Sequence, residues 1–297
     1  MPESSLFRSG YVAIVGLPNV GKSTLLNCLL GHHLAAVAPR PQTTRHKLLG
    51  ILNLPNCQAI FLDTPGLLDP KYALQRLMKQ EIESAVKDAD LLLTVIDGTA
   101  DPDSIEPVLS LVSNRPTVVA INKVDLVPDK TVLLQFAARL NTAGLDKVLM
   151  VSALKGQGIT ELKSAIVDAL PEGKPYYPTD QLADRPERFF CAEFIREAIF
   201  NLYGEEIPYS TAVVVEEFKE QPGRKDLIRA TIYVERDSQK AILIGRNGVA
   251  LKRVGQHARR AIEGFLGRGV YLELWVKVAR DWRNNESFIR QNVFGRG

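Results

Sequence analysis

The chain has 297 residues, 45% of them hydrophobic and 24% charged, with a formal net charge of +3. That length suits two domains of ordinary size, and the small net charge neither demands nor excludes a polyanionic partner, so the distribution of charge has to decide. Cys28, Cys57 and Cys191 lie far apart in no CxxC pair, which argues against a disulfide framework or a zinc site and fits a reducing compartment.

Residues 11–15, 59–62, 90–96, 117–121 and 148–151 read as strands, each followed by a loop and a helix-like stretch, which is the rhythm of an α/β fold. The first helix begins near Gly21, carries Leu25, Leu26, Leu29 and Leu30 on one face and ends at Gly31; His32 and His33 after it read as surface residues. Gly16-Leu17-Pro18-Asn19-Val20-Gly21-Lys22-Ser23, between that strand and helix, fits GxxxxGK[ST]. Glycines let such a loop wrap closely, so its amides and the helix N-terminus point at phosphate oxygens while Lys22 supplies a point charge and Ser23 is placed to ligate magnesium. The following loop, Pro39-Arg40-Pro41-Gln42-Thr43-Thr44-Arg45, lacks apolar periodicity and is the candidate switch, with Thr44 favoured over Thr43 as the hydroxyl that meets magnesium when a γ-phosphate is present. Asp63-Thr64-Pro65-Gly66 ends the next strand, where Asp63 can reach magnesium through water and the Gly66 amide can face the terminal phosphate.

Asn122-Lys123-Val124-Asp125 follows the 117–121 strand and sets the base. Guanine offers a ring N–H and an exocyclic amine to a carboxylate such as Asp125, which only accepts, whereas adenine cannot donate both. Lys123 would lie along the base plane, and the backbone of Ser152-Ala153-Leu154 can meet the guanine carbonyl. These residues point to GTP as substrate and exclude an ATP-dependent kinase.

Residues 171–187 are rich in proline and polar residues, the composition of an interdomain linker, and separate a nucleotide domain at 1–170 from a second domain at 188–280 and a tail at 281–297. In the second domain, 189–203 reads as a helix, 211–218 and 227–234 as strands, and 239–244 as a short helix. A glycine loop Gly245-Arg246-Asn247-Gly248, a helix at 249–265 and a strand at 270–278 follow. The order helix, strand, strand, helix, GxxG, helix, strand is that of a type II KH domain, in which the glycines let the backbone press against four nucleotides. Arg246 and Asn247 would contact phosphate or sugar. Residues 238–262 contain Lys240, Arg246, Lys252, Arg253, Arg259 and Arg260 and no acidic residue, a local basic surface suited to RNA. Trp275, inside an alternating strand pattern, and Trp282 read as packing residues rather than base-stacking platforms.

These motifs, in this order and spacing, resemble the TRAFAC class of GTPases, and the second domain narrows the resemblance to the Era family of bacterial ribosome-assembly GTPases. Its specific parts are Gly16 to Thr24, Gln42 to Arg45, Asp63 to Gly66, Asn122 to Asp125, Ser152-Ala153 and the glycine loop. The resemblance implies a P-loop GTPase domain with a mostly parallel sheet, followed by a smaller α+β type II KH domain. It implies that the protein hydrolyses GTP and binds single-stranded RNA at the 3′ end of small-subunit ribosomal RNA, with the small ribosomal subunit as partner. Nucleotide contacts are implied at Asn19, Val20, Gly21, Lys22, Ser23, Thr24, Asp63, Gly66, Asn122, Lys123, Asp125, Ser152, Ala153 and Leu154, and catalysis at Lys22, Thr44 and Gly66. Magnesium falls to Ser23, Thr44 and Asp63, potassium to Asn19, and RNA to Gly245, Arg246, Asn247, Gly248, Lys252 and Arg253. Where Ras-like GTPases carry a water-orienting glutamine, Leu67 stands here, so slow intrinsic hydrolysis without a side-chain base at residue 67 is expected.

No apolar run approaches the roughly 18 to 20 residues that span a bilayer, and residues 1–10 lack the features of a signal peptide. A cytoplasmic monomer is expected, with peripheral contact at the inner face of the cell membrane left open. Two rival readings remain: a constitutive RNA-binding module with negligible turnover, and a membrane-associated signalling GTPase.

Overall fold

Strand β1 (Arg8–Val15) runs apolar without alternation from Val12 to Val15, all four fully buried, as a parallel strand covered on both faces must. It lies at the centre of a six-stranded sheet in a computed structural model that describes residues 6–112 and 115–295. The expectations for residues 1–5 and for 296–297 at the end of the tail lie outside the described residues. Two compact units form: Met1–Ala35, Thr44–Asp69 and Met78–Asp184 make the first, and Ala36–Thr43, Pro70–Leu77 and Arg185–Gly297 the second.

In the first unit β1 is followed by helix α1 (Lys22–Leu30), β2 (Leu48–Leu54), β3 (Cys57–Asp63), the part of α2 (Ala73–Asp88) from Met78 onward, β4 (Leu91–Asp97) and α3 (Glu106–Val112). β5 (Thr117–Asn122), α4 (Thr131–Thr142), β6 (Val148–Met150) and α5 (Ile159–Ala169) complete it. The sheet order is β2-β3-β1-β4-β5-β6, parallel throughout except for β2, which pairs antiparallel with β3 across a two-residue turn at Pro55 and Asn56. β2 is a strand that the chain-order pattern passes over, because Leu48–Leu54 pairs locally with β3 and has no crossover helix before it. One core packs Ala13, Val15, Ile60, Leu62 and Leu92 against Ile82 and Ala85 of α2; another packs Val119 and Ile121 against Phe136 and Leu140 of α4.

The proline-rich stretch does not hang free of this unit. Ser9 donates its amide to Pro171 O at 3.0 Å, Gly173 to Phe7 O at 3.0 Å and Ile51 to Leu182 O at 2.8 Å. Gln58, fully buried on β3, holds the middle of the strap: its Oε1 accepts from the amides of Tyr176 and Tyr177 at 2.7 and 2.9 Å, and its Nε2 donates to Tyr177 O at 2.8 Å and Asn53 Oδ1 at 2.7 Å.

The second unit contains α6 (Glu187–Leu202), β7 (Ala212–Lys219), β8 (Asp226–Val234), α7 (Asp237–Ile244), α8 (Val249–Leu266) and β9 (Val270–Val278). Its sheet has the order β7-β8-β9, with β7 antiparallel and β9 parallel to β8. α6 is buried over much of its length, the charged Arg196 and Glu197 included, and its Phe190 and Phe194 rings meet Phe265 of α8 at 4.9 and 5.4 Å. Ile228, Ala230, Ile232 and Val234 are fully buried on one face of β8. Trp282 is buried as expected and donates its indole N–H to Ser210 O at 2.8 Å. Trp275 is not: it stands 45% exposed on β9, because alternation shows which residues share a face but not which face the helices cover.

Replacing Gln58 with leucine leaves the Tyr176 and Tyr177 amides facing an apolar side chain, and each lost partner costs about 1–3 kcal/mol. Gln58→Leu is expected to lower the unfolding free energy by about 3 kcal/mol in urea titration. A loss below about 1 kcal/mol would show that the strap is not held by this side chain.

Candidate functional site

The first residues after β1, β3, β4 and β5 converge at one end of the parallel sheet, where strand C-termini and helix N-termini meet. Lys22, at the first turn of α1, is only 6% exposed and folds its ammonium back over the loop, donating to Gly16 O at 3.1 Å and Leu17 O at 3.0 Å. Burial pulls that ammonium down to about 8, against the opposing pull of Asp63. Gly66 lies so close to the loop that a Cβ there would stand 2.7 Å from Pro18 Cα, so only glycine brings this turn against the phosphate loop. Leu67 donates its amide to Gly16 O at 3.1 Å while its side chain packs against the core.

Asp63 is fully buried at the end of β3. Its Oδ2 accepts from Ser23 Oγ at 2.7 Å and from Thr44 Oγ1 at 3.3 Å, and the two hydroxyl oxygens are 2.7 Å apart. Burial pushes the carboxyl up to about 6 even though Ser23, Lys22 and Thr44 all favour its charge. Asp63 Oδ1 is buried without a partner. Of the two switch threonines, Thr44 reaches this cluster, while Thr43 donates its hydroxyl to Arg40 O at 3.0 Å. An all-oxygen donor set with one unsatisfied carboxylate oxygen fits a hard divalent cation such as Mg2+.

Asn122 ties three loops together: its Nδ2 donates to Val20 O at 2.9 Å and its Oδ1 accepts from the Ala153 amide at 2.9 Å. Lys123 reaches back to donate to Asn19 O at 2.7 Å and pairs with Asp97 at 2.6 Å. Ser152 is fully buried, its hydroxyl accepting from the Lys155 amide at 3.1 Å, whereas Leu154 stands 75% exposed beside it. The Asn19 side chain is exposed, at a residue with φ 64°. Val20 is buried, Asp125 half-buried and Thr24 half-buried on the first turn of α1. Asp97 is the residue missed from sequence. Burial disfavours its charge, but hydrogen bonds from Lys123 and Thr99 outweigh that and hold it below the ordinary carboxylate value. Its signal was its place as the last residue of β4, directly opposite Asn122 in the parallel register.

In the second unit the loop Gly245-Arg246-Asn247-Gly248 joins α7 to α8 with φ 68°, 52° and 74° at Gly245, Asn247 and Gly248. A Cβ at Gly245 would stand 2.6 Å from that of Ala250, so the turn requires glycine. Arg246, Asn247, Lys252 and Arg253 are exposed. Beside the loop a groove of about 400 Å3 runs between α8 and β9, lined by Gly248, Leu251, Lys252, Gly255, Gln256, Arg259, Leu272 and Leu274 among others. Its walls combine an apolar floor with a basic rim, the pairing that receives bases and phosphates together.

A P-loop nucleotide site on a mostly parallel sheet, followed by a GxxG groove in a helix-and-sheet domain, defines a GTPase with an appended KH domain. The family of 50S ribosome-binding GTPases matches residues 11–123, and the KH domain family matches 206–283. The GTPase Era of Geotalea daltonii is 45% identical over 288 residues, covering 96% of this chain and 97% of the relative. Two solved structures are similar: a variant of Aquifex aeolicus Era bound to GDP and AlF4−, at 41% identity and TM-score 0.89, and Era in complex with MgGDPNP and nucleotides 1506–1542 of 16S ribosomal RNA, at 40% identity and TM-score 0.90. Both cover 96% of this chain, and the chain covers 99% and 98% of them. The chain belongs to the Era GTPase family.

With Asp63 raised to about 6 from an ordinary 3.8, the nucleotide-free native state binds a proton that the unfolded chain has already released across that interval. Native stability therefore falls as pH rises from about 4 to 6, by about 3 kcal/mol at most for two pH units. Asp63→Asn removes this cost. Unfolding free energies measured without nucleotide should show the variant gaining on the wild type through that window, and parallel pH profiles would contradict the assignment.

Proposed function

We propose that this protein is a magnesium-dependent GTP switch that binds the 3′ end of small-subunit ribosomal RNA through its KH domain and acts in small-subunit assembly. The observation that carries the nucleotide half is the cluster of Ser23, Thr44 and Asp63, which brings the switch threonine, the P-loop serine and a buried carboxylate within hydrogen-bond distance of one another. The RNA half rests on the GxxG groove and on the Era relative that was solved with a ribosomal RNA segment.

In this reading residues 1–170 do the nucleotide chemistry and 188–280 hold RNA, with 171–187 connecting them and 281–297 as the tail. The amides of Asn19, Val20, Gly21 and Thr24 cradle the phosphates, and Lys22 leaves its carbonyl partners to pair with them. Bound magnesium would neutralise charge developing on the β- and γ-phosphate oxygens, and Ser23, Thr44 and, through water, Asp63 would hold it. The Gly66 amide faces the γ-phosphate. Asp125 accepts the two guanine donors, Lys123 lies along the base, and the backbone at Ser152, Ala153 and Leu154 meets the guanine carbonyl. Leu67, partly buried against the core, supplies no base, so turnover is slow; potassium near Asn19 is the charge that would compensate, and replacing potassium by sodium should slow hydrolysis.

Nucleotide state reaches the RNA domain through the chain segments next to the site. Ala36–Thr43, which ends one residue before Thr44, and Pro70–Leu77 belong to the same compact unit as Arg185–Gly297. There Glu197 Oε1 accepts the Val37 amide at 3.0 Å, and the Arg283 guanidinium lies 5.1 Å over the Tyr72 ring. Ordering Thr44 on a γ-phosphate would pull on these contacts.

Labelled RNA matching the small-subunit ribosomal 3′ end, titrated against a scrambled control, should bind more tightly with a non-hydrolysable GTP analogue than with GDP. Arg246→Glu, at an exposed side chain, should weaken binding and reduce the slope of log affinity against log salt by about one or more. Equal binding of both RNAs in both nucleotide states would contradict the reading and leave a GTPase with a basic surface; GTP turnover no faster than background would favour a constitutive RNA-binding module.

A further inference from the structure

The groove of the KH domain ends at β9, an edge strand of its sheet. Successive side chains on a strand turn to opposite faces, so while Leu272 and Leu274 face the groove, Tyr271, Glu273 and Trp275 turn the other way. In the parallel register they stand beside Leu227, Arg229 and Thr231 of β8. Tyr271 and Trp275 are 56% and 45% exposed, large aromatic surfaces left in water. Tyr271 also lines the groove, so the groove wall and this outer face are continuous around the strand edge.

The chemistry of the face selects what it can take. Its central cation is already neutralised: Arg229 bonds Glu217 and Glu273 at 2.7 Å each. Phosphates gain little there, whereas the rings of Tyr271 and Trp275 offer flat apolar surface on which any base can stack. The cations that suit a phosphate chain, Lys252 and Arg259, line the groove instead. Toward the far end of the same face the Phe288 ring packs edge-on against Tyr233 at 5.2 Å, while Lys277, opposite Tyr233 in the register, stays exposed. The exposed aromatic surface therefore lies on the stretch that adjoins the groove, with the exposed Lys277 beyond it.

We infer that Tyr271 and Trp275 form a stacking platform for unpaired nucleobases that leave the KH groove across the β9 edge, extending the single-stranded RNA contact beyond the groove itself. Four residues apart, the two rings are separated by roughly 13 Å along the strand, so they receive different bases. The inference rests on the RNA-binding reading above and commits the face to RNA rather than to a protein.

The test uses the full chain with a non-hydrolysable GTP analogue and two labelled RNAs: a twelve-nucleotide segment of the small-subunit ribosomal 3′ end, and a six-nucleotide piece of it sized to the groove. Trp275→Ala should weaken the longer RNA about tenfold and leave the shorter one unchanged, and Trp275→Phe should recover most of the loss. The chain has two tryptophans, and Trp282 is buried at 1% exposure, so quenching of indole fluorescence by the longer RNA alone reports stacking on Trp275. Unchanged affinity for the longer RNA in Trp275→Ala, an equal loss for both RNAs, or a protein partner displaced by that substitution while RNA binding stays intact would each overturn the platform with the RNA-binding reading left standing. Failure of the wild type to bind either RNA would overturn both.

Discussion

Everything in the nucleotide site depends on a carboxylate held in the wrong solvent. Asp63 is fully buried, one of its oxygens has no partner, and burial drives its carboxyl up to about 6. A charge kept there without a cation costs stability, and the fold bears that cost because β3 lies beside β1 and ends where the phosphate loop begins. The nearby hydroxyls of Ser23 and Thr44 soften the penalty without cancelling it. In the proposed function a magnesium-bound γ-phosphate would relieve it, and Thr44 lies on the loop proposed to order around that phosphate. Binding energy at this one buried group is thus available to order a switch.

The rest of the first unit serves to aim groups at that point. Parallel strands deliver the phosphate loop, Asp63, Asp97 and Asn122 to one edge, and Asn122 then ties the loop at Val20 to the backbone at Ala153. Lys123 is held by Asp97 and by Asn19 O, which would lower the ordering cost of the guanine contact proposed for it. The second unit is built differently: three residues with positive φ in its glycine loop, a basic helix face and an apolar floor.

Much of this was legible in the sequence because the chemistry forces residue types into short local runs. A phosphate loop needs its glycines, lysine and serine within eight residues, and a guanine reader needs its carboxylate at a strand end, so both could be read without knowing the fold. The KH assignment needed only element order around GxxG. What stayed hidden depends on pairing between distant segments. β2 is a hairpin partner rather than part of the α/β rhythm. Gln58 gains its meaning from Tyr176 and Tyr177, more than a hundred residues on. Asp97 matters because the register sets it opposite Asn122. Trp275 sits in an alternating pattern that reads as core, and only the placement of the helices reveals that its face is open.

The most direct measurement is amide hydrogen exchange across residues 36–46 with magnesium and either a non-hydrolysable GTP analogue or GDP. If Thr44 closes on Ser23 and Asp63 only when a γ-phosphate is present, the amides around Thr44 are strongly protected with the analogue and exchange quickly with GDP. Equal protection in the two states would mean that the loop does not respond to the nucleotide, and the buried carboxylate would then drive no switch.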